Sequence, residues 1–164
     1  MTVNAEAFKK ALQDWASGVT IVTTTSSSNE PLGMTATSFT SVSMEPPQIL
    51  VCINDSALTS AAIAENHYFA VNILGADQQA ISNLFAGGAS VENRFESVAW
   101  SKGINAVPVL DESIASLECK VVQQIRAGTH WVIIGEVKQA ICRSGKPLLY
   151  FRTRYRQLNN ESDQ

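Results

Sequence analysis

Apolar residues follow two different periods along this chain. Near the N-terminus they recur at the spacing of one helical face, at Ala5, Phe8, Leu12 and Trp15. Asn4 precedes this run and Gly18 follows it, so we expect an amphipathic helix that Asn4 caps and Gly18 ends. Further along, the period changes to the strict alternation of a β-strand, and that pattern dominates the rest of the chain.

The clearest alternation begins at Ala115. Every second residue from Ala115 to Ile125 is mostly apolar, and the intervening side chains, from Ser116 to Arg126, are mostly polar. A second long run, His130–Cys142, follows after a turn of three residues, Ala-Gly-Thr. The two runs predict long, half-buried strands that pair as an antiparallel hairpin.

Shorter runs fill the first half of the chain. Residues 19–25, 48–54 and 68–74 are rich in β-branched and apolar residues and predict strands, whereas 59–66 and 76–87 have helical spacing. The helices are few and short beside the strands. We therefore expect a mainly β protein with peripheral helices, built as an antiparallel β-barrel rather than as a doubly wound sheet.

Length and composition indicate one ordinary globular domain. The chain has 164 residues, 45% of them hydrophobic and 16% charged, and no apolar run is long enough for a membrane span. We expect a single domain over residues 1–158, a frayed tail over 159–164, and a cytoplasmic location, because the first residues lack a secretory signal. Cys52, Cys119 and Cys142 are few and widely spaced, which favours free thiols over a disulfide framework or a metal site.

Charge is unevenly distributed although the formal net charge is only −3. Residues 120–156 hold eight of the twelve basic residues and a single acid, Glu136. This end of the chain can attract an anionic ligand, or it can be a solvated basic face. Basic residues interleaved with aromatic ones are missing, so nucleic acid is not an expected partner.

The segment Gly33–Ser43 departs from both apolar patterns, because small hydroxyl side chains occupy both faces of the strand that it predicts. Small residues allow a ligand to approach the backbone closely, and hydroxyl and peptide groups can hydrogen-bond a flat polar heterocycle. The alternative is a threonine-rich barrel strand with no ligand, since threonine is a good strand former.

Several chemistries lack their motifs. Neither a glycine-rich dinucleotide loop nor a P-loop nor a nucleophile elbow occurs, and only two histidines are available as bases. His67 lies where a helix meets a strand, a position typical of an exposed cap. His130 begins a strand after a glycine-containing turn, which places it at a barrel rim, where it is either a ligand contact or a structural residue.

The order of short motifs resembles one family. The motifs run "GVTIVTT", "GMTATSFTSVSMEPP", "ILVCIN", "FAVNIL", "LFAG", "NRF", "PVL", "LEC", "GTH", "IGEV" and "PLLYFRTRY", from about Phe8 to Leu158. This series resembles the flavin reductase family of split β-barrel, FMN-binding proteins. It is similar to the reductase components of two-component flavin-dependent monooxygenases, of the kind that serves 4-hydroxyphenylacetate hydroxylation.

The resemblance implies a flavin reductase that uses NADH or NADPH and reduces FMN or FAD. It also implies a homodimer and a separate monooxygenase that receives the reduced flavin. Two alternatives keep the fold: a retained FMN that reduces another acceptor, such as a corrin or a metal chelate, and a non-catalytic module that binds flavin or haem.

The resemblance also implies functional residues. His130 matches the histidine near the nicotinamide, and it would position the carboxamide rather than act as an obligatory base. Two further groups are implied as contacts for the pyridine nucleotide and for the flavin. The first is Tyr150, Arg152 and Arg154, and the second is Thr35, Ala36, Thr37, Ser38, Cys52, Ile53, Asn54, Ser56, Thr59, Phe85, Ala86, Gly87 and Arg94. Within the second group, Ser56 and Thr59 match the phosphate-binding position.

Two positions depart from the family pattern. The chain reads Gly-Thr-His at 128–130, where many relatives read Gly-Asp-His, which leaves His130 in place. Asp55 puts a negative charge beside the expected phosphate site, and this predicts weak flavin binding unless a cation intervenes.

Overall fold

The computed structural model describes residues 3–88 and 94–158. Within these residues lie three α-helices, α1 (Ala5–Gln13), α2 (Leu58–Asn66) and α3 (Gln79–Asn83), and a π-helical turn follows α3 at Leu84–Gly88. The described strands are β1 (Ser17–Gly18), β2 (Thr20–Thr25), β3 (Pro31–Ala36), β4 (Phe39–Met44), β5 (Pro47–Asn54), β6 (Tyr68–Ile73), β7 (Trp100–Lys102), β8 (Pro108–Leu110), β9 (Ala115–Ala127), β10 (His130–Cys142), β11 (Leu149–Phe151) and β12 (Arg154–Arg156).

Seven strands form the main sheet, in the order β3-β2-β6-β9-β10-β5-β4, and all of its pairs are antiparallel. The hairpin predicted from the alternation is confirmed, since β9 and β10 pair along their length from His130 opposite Ala127 to Cys142 opposite Ala115. Two smaller sheets, β1-β11-β12 and β7-β8, lie beside the main sheet.

The two edges of the main sheet are joined by a very short link. β3 is one edge and β4 is the other, yet only Thr37 and Ser38 separate them along the chain. Because three peptide steps span at most about 11 Å, the sheet must curl until its edges approach each other. Among the described residues no ladder pairs β3 with β4, so the barrel is split at this link.

The barrel interior is packed with aliphatic and aromatic side chains. One cluster includes Val22, Val51, Phe69, Val71 and Ile133, all 1% exposed or less. The thiol of Cys119 belongs to this cluster, and burial, with a smaller contribution from the charge of Glu118, raises its pKa to about 12. This cysteine is therefore a core residue and a poor nucleophile near neutral pH.

The outer face of β9 differs from its predicted polar exposure. Ser116 and Glu118 are buried, at 0% and 1% exposure, because the short β7-β8 hairpin and the turn between its strands lie close to this part of β9. Glu118 Oε2 accepts a hydrogen bond of 2.5 Å from the backbone N–H of Ile104 in that turn. Glu118 was predicted to face solvent, but its buried carboxylate binds the turn between β7 and β8.

Three other local predictions need correction. The helix cap at Asn4 is confirmed by a 2.7 Å bond from Ala7 N to Asn4 Oδ1, but α1 ends at Gln13 and Gly18 lies in a strand. The hydroxyl-rich segment is two strands rather than one, because Thr37 and Ser38 lie outside both and separate β3 from β4. The helix predicted over 76–87 is shorter than expected, because α3 covers only Gln79–Asn83 and the π-helical turn replaces the last predicted residues.

No helix in the described part of the chain is both long and apolar enough to cross a membrane. A single domain over residues 1–158 stays a prediction. The tail predicted to fray, 159–164, lies outside the described residues.

Candidate functional site

The backbone at the split between β3 and β4 is fixed by hydrogen bonds from its own hydroxyl groups. Thr35 Oγ1 donates to the carbonyl of Ser82 at 2.6 Å, and Ser38 Oγ donates to the carbonyl of Cys52 at 2.6 Å. Cys52 N also donates to the carbonyl of Ser38 at 3.1 Å. Two of the hydroxyls thought to face a ligand therefore fix the backbone of the split.

A cavity of about 240 Å³ lies between β3 and the start of α2. It brings together five of the residues expected to contact flavin, namely Thr35, Thr59, Phe85, Ala86 and Arg94. The start of α2 forms one wall, and the cap residue of that helix, Ala57, offers no side-chain acceptor to the helix amides. A helix N-terminus beside a guanidinium group is a favourable site for an anion.

Gly33 shapes this small cavity. Arg94 Nη1 donates to the carbonyl of Gly33 at 3.0 Å, which holds the guanidinium against β3. A Cβ atom at Gly33 would lie 2.9 Å from Cε1 of Phe85 and 3.2 Å from Cζ of Phe95. The two aromatic rings thus pack directly on the glycine, with an edge-to-face contact of 5.1 Å between their centroids.

A larger cavity, of about 470 Å³, lies against the link between β3 and β4. It brings Thr37 and Ser38 together with Tyr150 and Arg152, two of the residues expected to contact the pyridine nucleotide. The remaining wall is α1 and the residues after it, including Lys9, Leu12 and Trp15. Cationic and aromatic side chains on one wall, and small hydroxyls on the other, suit a nucleotide with flat rings and phosphates.

Arg152 is held at the rim of the larger cavity by α1. Its Nε lies 2.7 Å from Asp14 Oδ1, and its backbone N–H donates to the carbonyl of Gln13 at 3.1 Å. Arg152 and Thr153 both have left-handed backbone angles, with φ of 49° and 60°, in the tight turn between β11 and β12. Such angles are strained for a β-branched residue, and they persist where the surroundings fix the turn.

His130 begins β10 at the exposed end of the β9-β10 hairpin, opposite Asn54 at the end of β5. Its Nδ1 lies 3.0 Å from the hydroxyl of Thr129. Asn54 Oδ1 accepts hydrogen bonds from the backbone N–H and the hydroxyl of Ser56, at 3.0 and 2.8 Å. The barrel-rim position expected for His130 is thus confirmed, although neither cavity includes its side chain.

Some predicted residues are not gathered into either cavity. Ile53 is fully buried in the barrel core, and the Ser56 hydroxyl is turned onto Asn54. Arg154 is exposed on β12, and Gly87 is an exposed residue of the π-helical turn with φ of 123°. Their assignment as ligand contacts stays a prediction.

Residues of α1 were missed as site residues. The helix was predicted, but its apolar face gave no sign that Leu12 and Trp15 line a cavity shared with residues more than 130 positions later. The pairing of Asp14 with Arg152 has no sequence signal either, because opposite charges that far apart can meet in many folds. Gly33, the first residue of the hydroxyl-rich segment, is a sequence hint of close packing, because glycine within a strand often marks a close approach.

Together, the cavities provide the chemistry that a flavin nucleotide requires. The small cavity offers Arg94, the hydroxyl of Thr59 and the start of α2 for a phosphate, and the backbone of 35–38 lies between it and the larger cavity. The donor set of the small cavity therefore fits the phosphate of a flavin nucleotide. Fold and cavities together describe a split β-barrel with donors for a phosphorylated ligand.

The chain belongs to the flavin reductase family, since the model of the flavin reductase like domain matches residues 12–159. It is 40% identical over 161 residues to the FMN reductase (NADH) RutF of Pseudomonas syringae pv. syringae, covering 98% of this chain and 90% of that protein. It is 38% identical over 148 residues to the reductase component of the 4-nitrophenol 4-monooxygenase/4-nitrocatechol 2-monooxygenase of Rhodococcus opacus, covering 90% of this chain and 78% of that protein.

A solved structure shares the fold over the whole chain. The NADH:FAD oxidoreductase SgcE6 of Streptomyces globisporus C-1027, in complex with NAD and FAD fragments, superimposes with a TM-score of 0.90 at 31% identity. The match covers 99% of each chain. The split-barrel fold expected from the motif series is thereby confirmed.

Proposed function

We propose that this protein is an NADH-dependent flavin reductase that transfers hydride to FMN or FAD and supplies reduced flavin to a separate monooxygenase. The observation that carries the proposal is the pair of cavities that border the segment Thr35–Ser38, in a chain of the flavin reductase family. The names of its relatives, an FMN reductase (NADH) and a monooxygenase reductase component, support the same activity.

Each cavity has a distinct task in this proposal. Arg94, Thr59 and the start of α2 hold the flavin phosphate, and the backbone of Thr35–Ser38 lines the ring system. Tyr150 and Arg152 contact the pyridine nucleotide, and His130 positions the nicotinamide from the hairpin tip. Bound flavin supplies the redox chemistry, because it accepts hydride directly from the reduced nicotinamide. The protein residues orient and desolvate the two rings, which can lower a barrier by about 7 to 11 kcal/mol without a covalent residue.

The first experiment is NADH oxidation by the purified protein with FMN, FAD, riboflavin or no added flavin. Turnover that depends on added flavin supports a reductase that uses flavin as a diffusible substrate. A protein that stays yellow on dilution and turns over without added flavin would instead be a flavoprotein with retained FMN. Absence of NADH or NADPH oxidation with every flavin would refute the proposal and leave a binding module.

His130 has a matched control in the other histidine. We expect His130→Asn to raise KM for NADH and to lower kcat only partly, because the side chain positions the ring. His67→Asn should change neither, since His67 is exposed in a left-handed conformation that asparagine also tolerates. Complete loss of turnover in His130→Asn at saturating NADH, with flavin still bound, would mean that positioning is too modest a role.

A homodimer is part of the proposal. Phe8 and Leu12 of α1, and Trp15 just after that helix, are 56%, 54% and 75% exposed, and Met44 on the edge strand β4 is 87% exposed. Such apolar side chains on two edges of one small barrel suit an interface with a second copy. Light scattering should give twice the 17.7 kDa of one chain, and a monomer mass would contradict the dimer.

Cytoplasmic location also belongs to this proposal. The three cysteines are free, which suits a reducing compartment, and NADH is available there. Fractionation of cells that express the protein tests this part separately from the activity.

A further inference from the structure

An ion pair holds Asp55 against the tip of the β9-β10 hairpin. Arg126 Nη2 lies 2.5 Å from Asp55 Oδ2, and the guanidinium carbon lies 5.9 Å from the ring centroid of Trp131. The backbone N–H of Asp55 donates to the carbonyl of Thr129 at 3.0 Å. Backbone and side chain of Asp55 are therefore both tied to the hairpin.

The position of Asp55 along the chain makes this pairing relevant to the phosphate site. Asp55 lies two residues before Ala57, the cap residue of α2, which offers no side-chain acceptor to the helix amides. A carboxylate near a helix N-terminus is favourable for the same reason that a phosphate is. An unpaired Asp55 would thus compete with a bound phosphate, and its charge would repel one.

The Asp55 carboxylate lies on the side of α2 that faces away from the small cavity. Asp55 lines a groove with Trp131, Gln124 and the Ser60 face of the helix, whereas Thr59 and Arg94 line the small cavity. The charge that predicted weak flavin binding is therefore paired with a cation and directed away from that cavity.

We propose that Arg126 is a positioning residue which holds Asp55 away from the start of α2, and so sets the preference for phosphorylated flavins over riboflavin. This inference rests on the proposed function, because it assumes that the small cavity takes the flavin phosphate. Arg126 does not contact flavin in this scheme. It acts through Asp55, and its effect depends on the phosphate group of the ligand.

The test compares FMN with riboflavin, which share the ring and ribityl chain but differ in the phosphate. Binding is measured without NADH, by the change in flavin fluorescence, for wild type, Arg126→Met, Asp55→Asn and the double variant. Lys138→Met is the control, because it also removes one positive charge from an exposed ion pair, with Glu136 on β10.

Arg126→Met should weaken FMN binding roughly threefold to tenfold, as expected when a surface charge is left unpaired near a phosphate. Riboflavin binding should not change, and Asp55→Asn in the Arg126→Met background should restore FMN binding. Because the Arg126 and Asp55 side chains are 61% and 31% exposed, added salt should reduce the difference. Lys138→Met should bind both flavins like wild type.

Equal weakening of FMN and riboflavin binding, or no rescue by the second substitution, would overturn the inference and leave Arg126 with a structural role. Unchanged FMN binding in Arg126→Met would overturn it as well, without affecting the proposed function. Wild-type protein that binds FMN but does not oxidise NADH would refute the reductase activity and leave the phosphate preference standing. Wild-type protein that binds no flavin would refute both.

Discussion

Asn72 lies near the end of β6 and joins that strand to three others, β2, β8 and β9. It is fully buried, and its side chain makes four hydrogen bonds. Nδ2 donates to the carbonyl of Ile21 and to the hydroxyl of Thr23, both at 3.1 Å. Oδ1 accepts from the backbone N–H of Leu110 at 3.0 Å and from the hydroxyl of Ser116 at 2.9 Å. Replacement by leucine keeps the approximate volume and removes all four bonds.

The loss in free energy of unfolding depends on which partners of Asn72 keep another hydrogen bond. The Thr23 hydroxyl still donates to the carbonyl of Pro108 at 2.5 Å, so it keeps a partner. Leu110 N and Ser116 Oγ lose the acceptor that Asn72 provides, and each buried unsatisfied group costs about 1–3 kcal/mol. We therefore expect Asn72→Leu to lower the free energy of unfolding by about 2–5 kcal/mol, after some gain from burying an apolar side chain.

Urea denaturation followed by tryptophan fluorescence measures this change. Asn83→Leu is the matched control, because Asn83 is exposed and loses only a bond from Tyr155, so its cost should stay below about 1 kcal/mol. Asn72→Asp should be destabilised at neutral pH and partly recover on acidification, since protonation removes the buried charge. A loss of less than about 1 kcal/mol in Asn72→Leu would refute the reasoning.

Three further changes have expected outcomes. Gly33→Ala should cost about 1–3 kcal/mol and weaken flavin binding, because the new methyl group displaces the ring of Phe85 beside the small cavity. Gly103→Ala should be at least as costly, because its methyl group would overlap the buried carboxylate of Glu118. Stability should fall as pH rises from 9 towards 12, by at most about 1.4 kcal/mol per pH unit, because the Cys119 thiol stays protonated in the folded protein, where its pKa is about 12, while the unfolded chain ionises.

These predictions have internal controls. Gly18→Ala should be nearly neutral, since no atom lies within 4 Å of the added methyl group, and equal costs at all three glycines would contradict the packing argument. For the thiol, Cys119→Ala should flatten the loss of stability above pH 9, measured by urea titrations at several pH values. The exposed Cys142 should react with a thiol reagent in the folded protein, whereas Cys119 should react only after unfolding.

The sequence determined the elements whose periodicity is local. The β9-β10 hairpin, the cap of α1 and the strand at β5 follow from residues that are neighbours along the chain, because side-chain alternation and capping depend on local geometry. The motif series determined the family in the same way, since the order of motifs is itself a property of the sequence. Thr35, Thr59 and Arg94 were assigned on that basis, and the structure brings them to one cavity.

Tertiary structure alone decided which side chains meet. Asn72 and Glu118 look like polar positions on strands, yet both are buried because other strands and the β7-β8 hairpin cover them. Lys9 and Trp15 line the larger cavity only because α1 lies beside β11. Arg126 reaches Asp55 only because the sheet order β9-β10-β5 brings the ends of β9 and β5 to the same end of β10. Local patterns determine which face of a strand or helix a side chain occupies. The residues that it contacts depend on strand order, because strand order brings together residues that are far apart in the sequence.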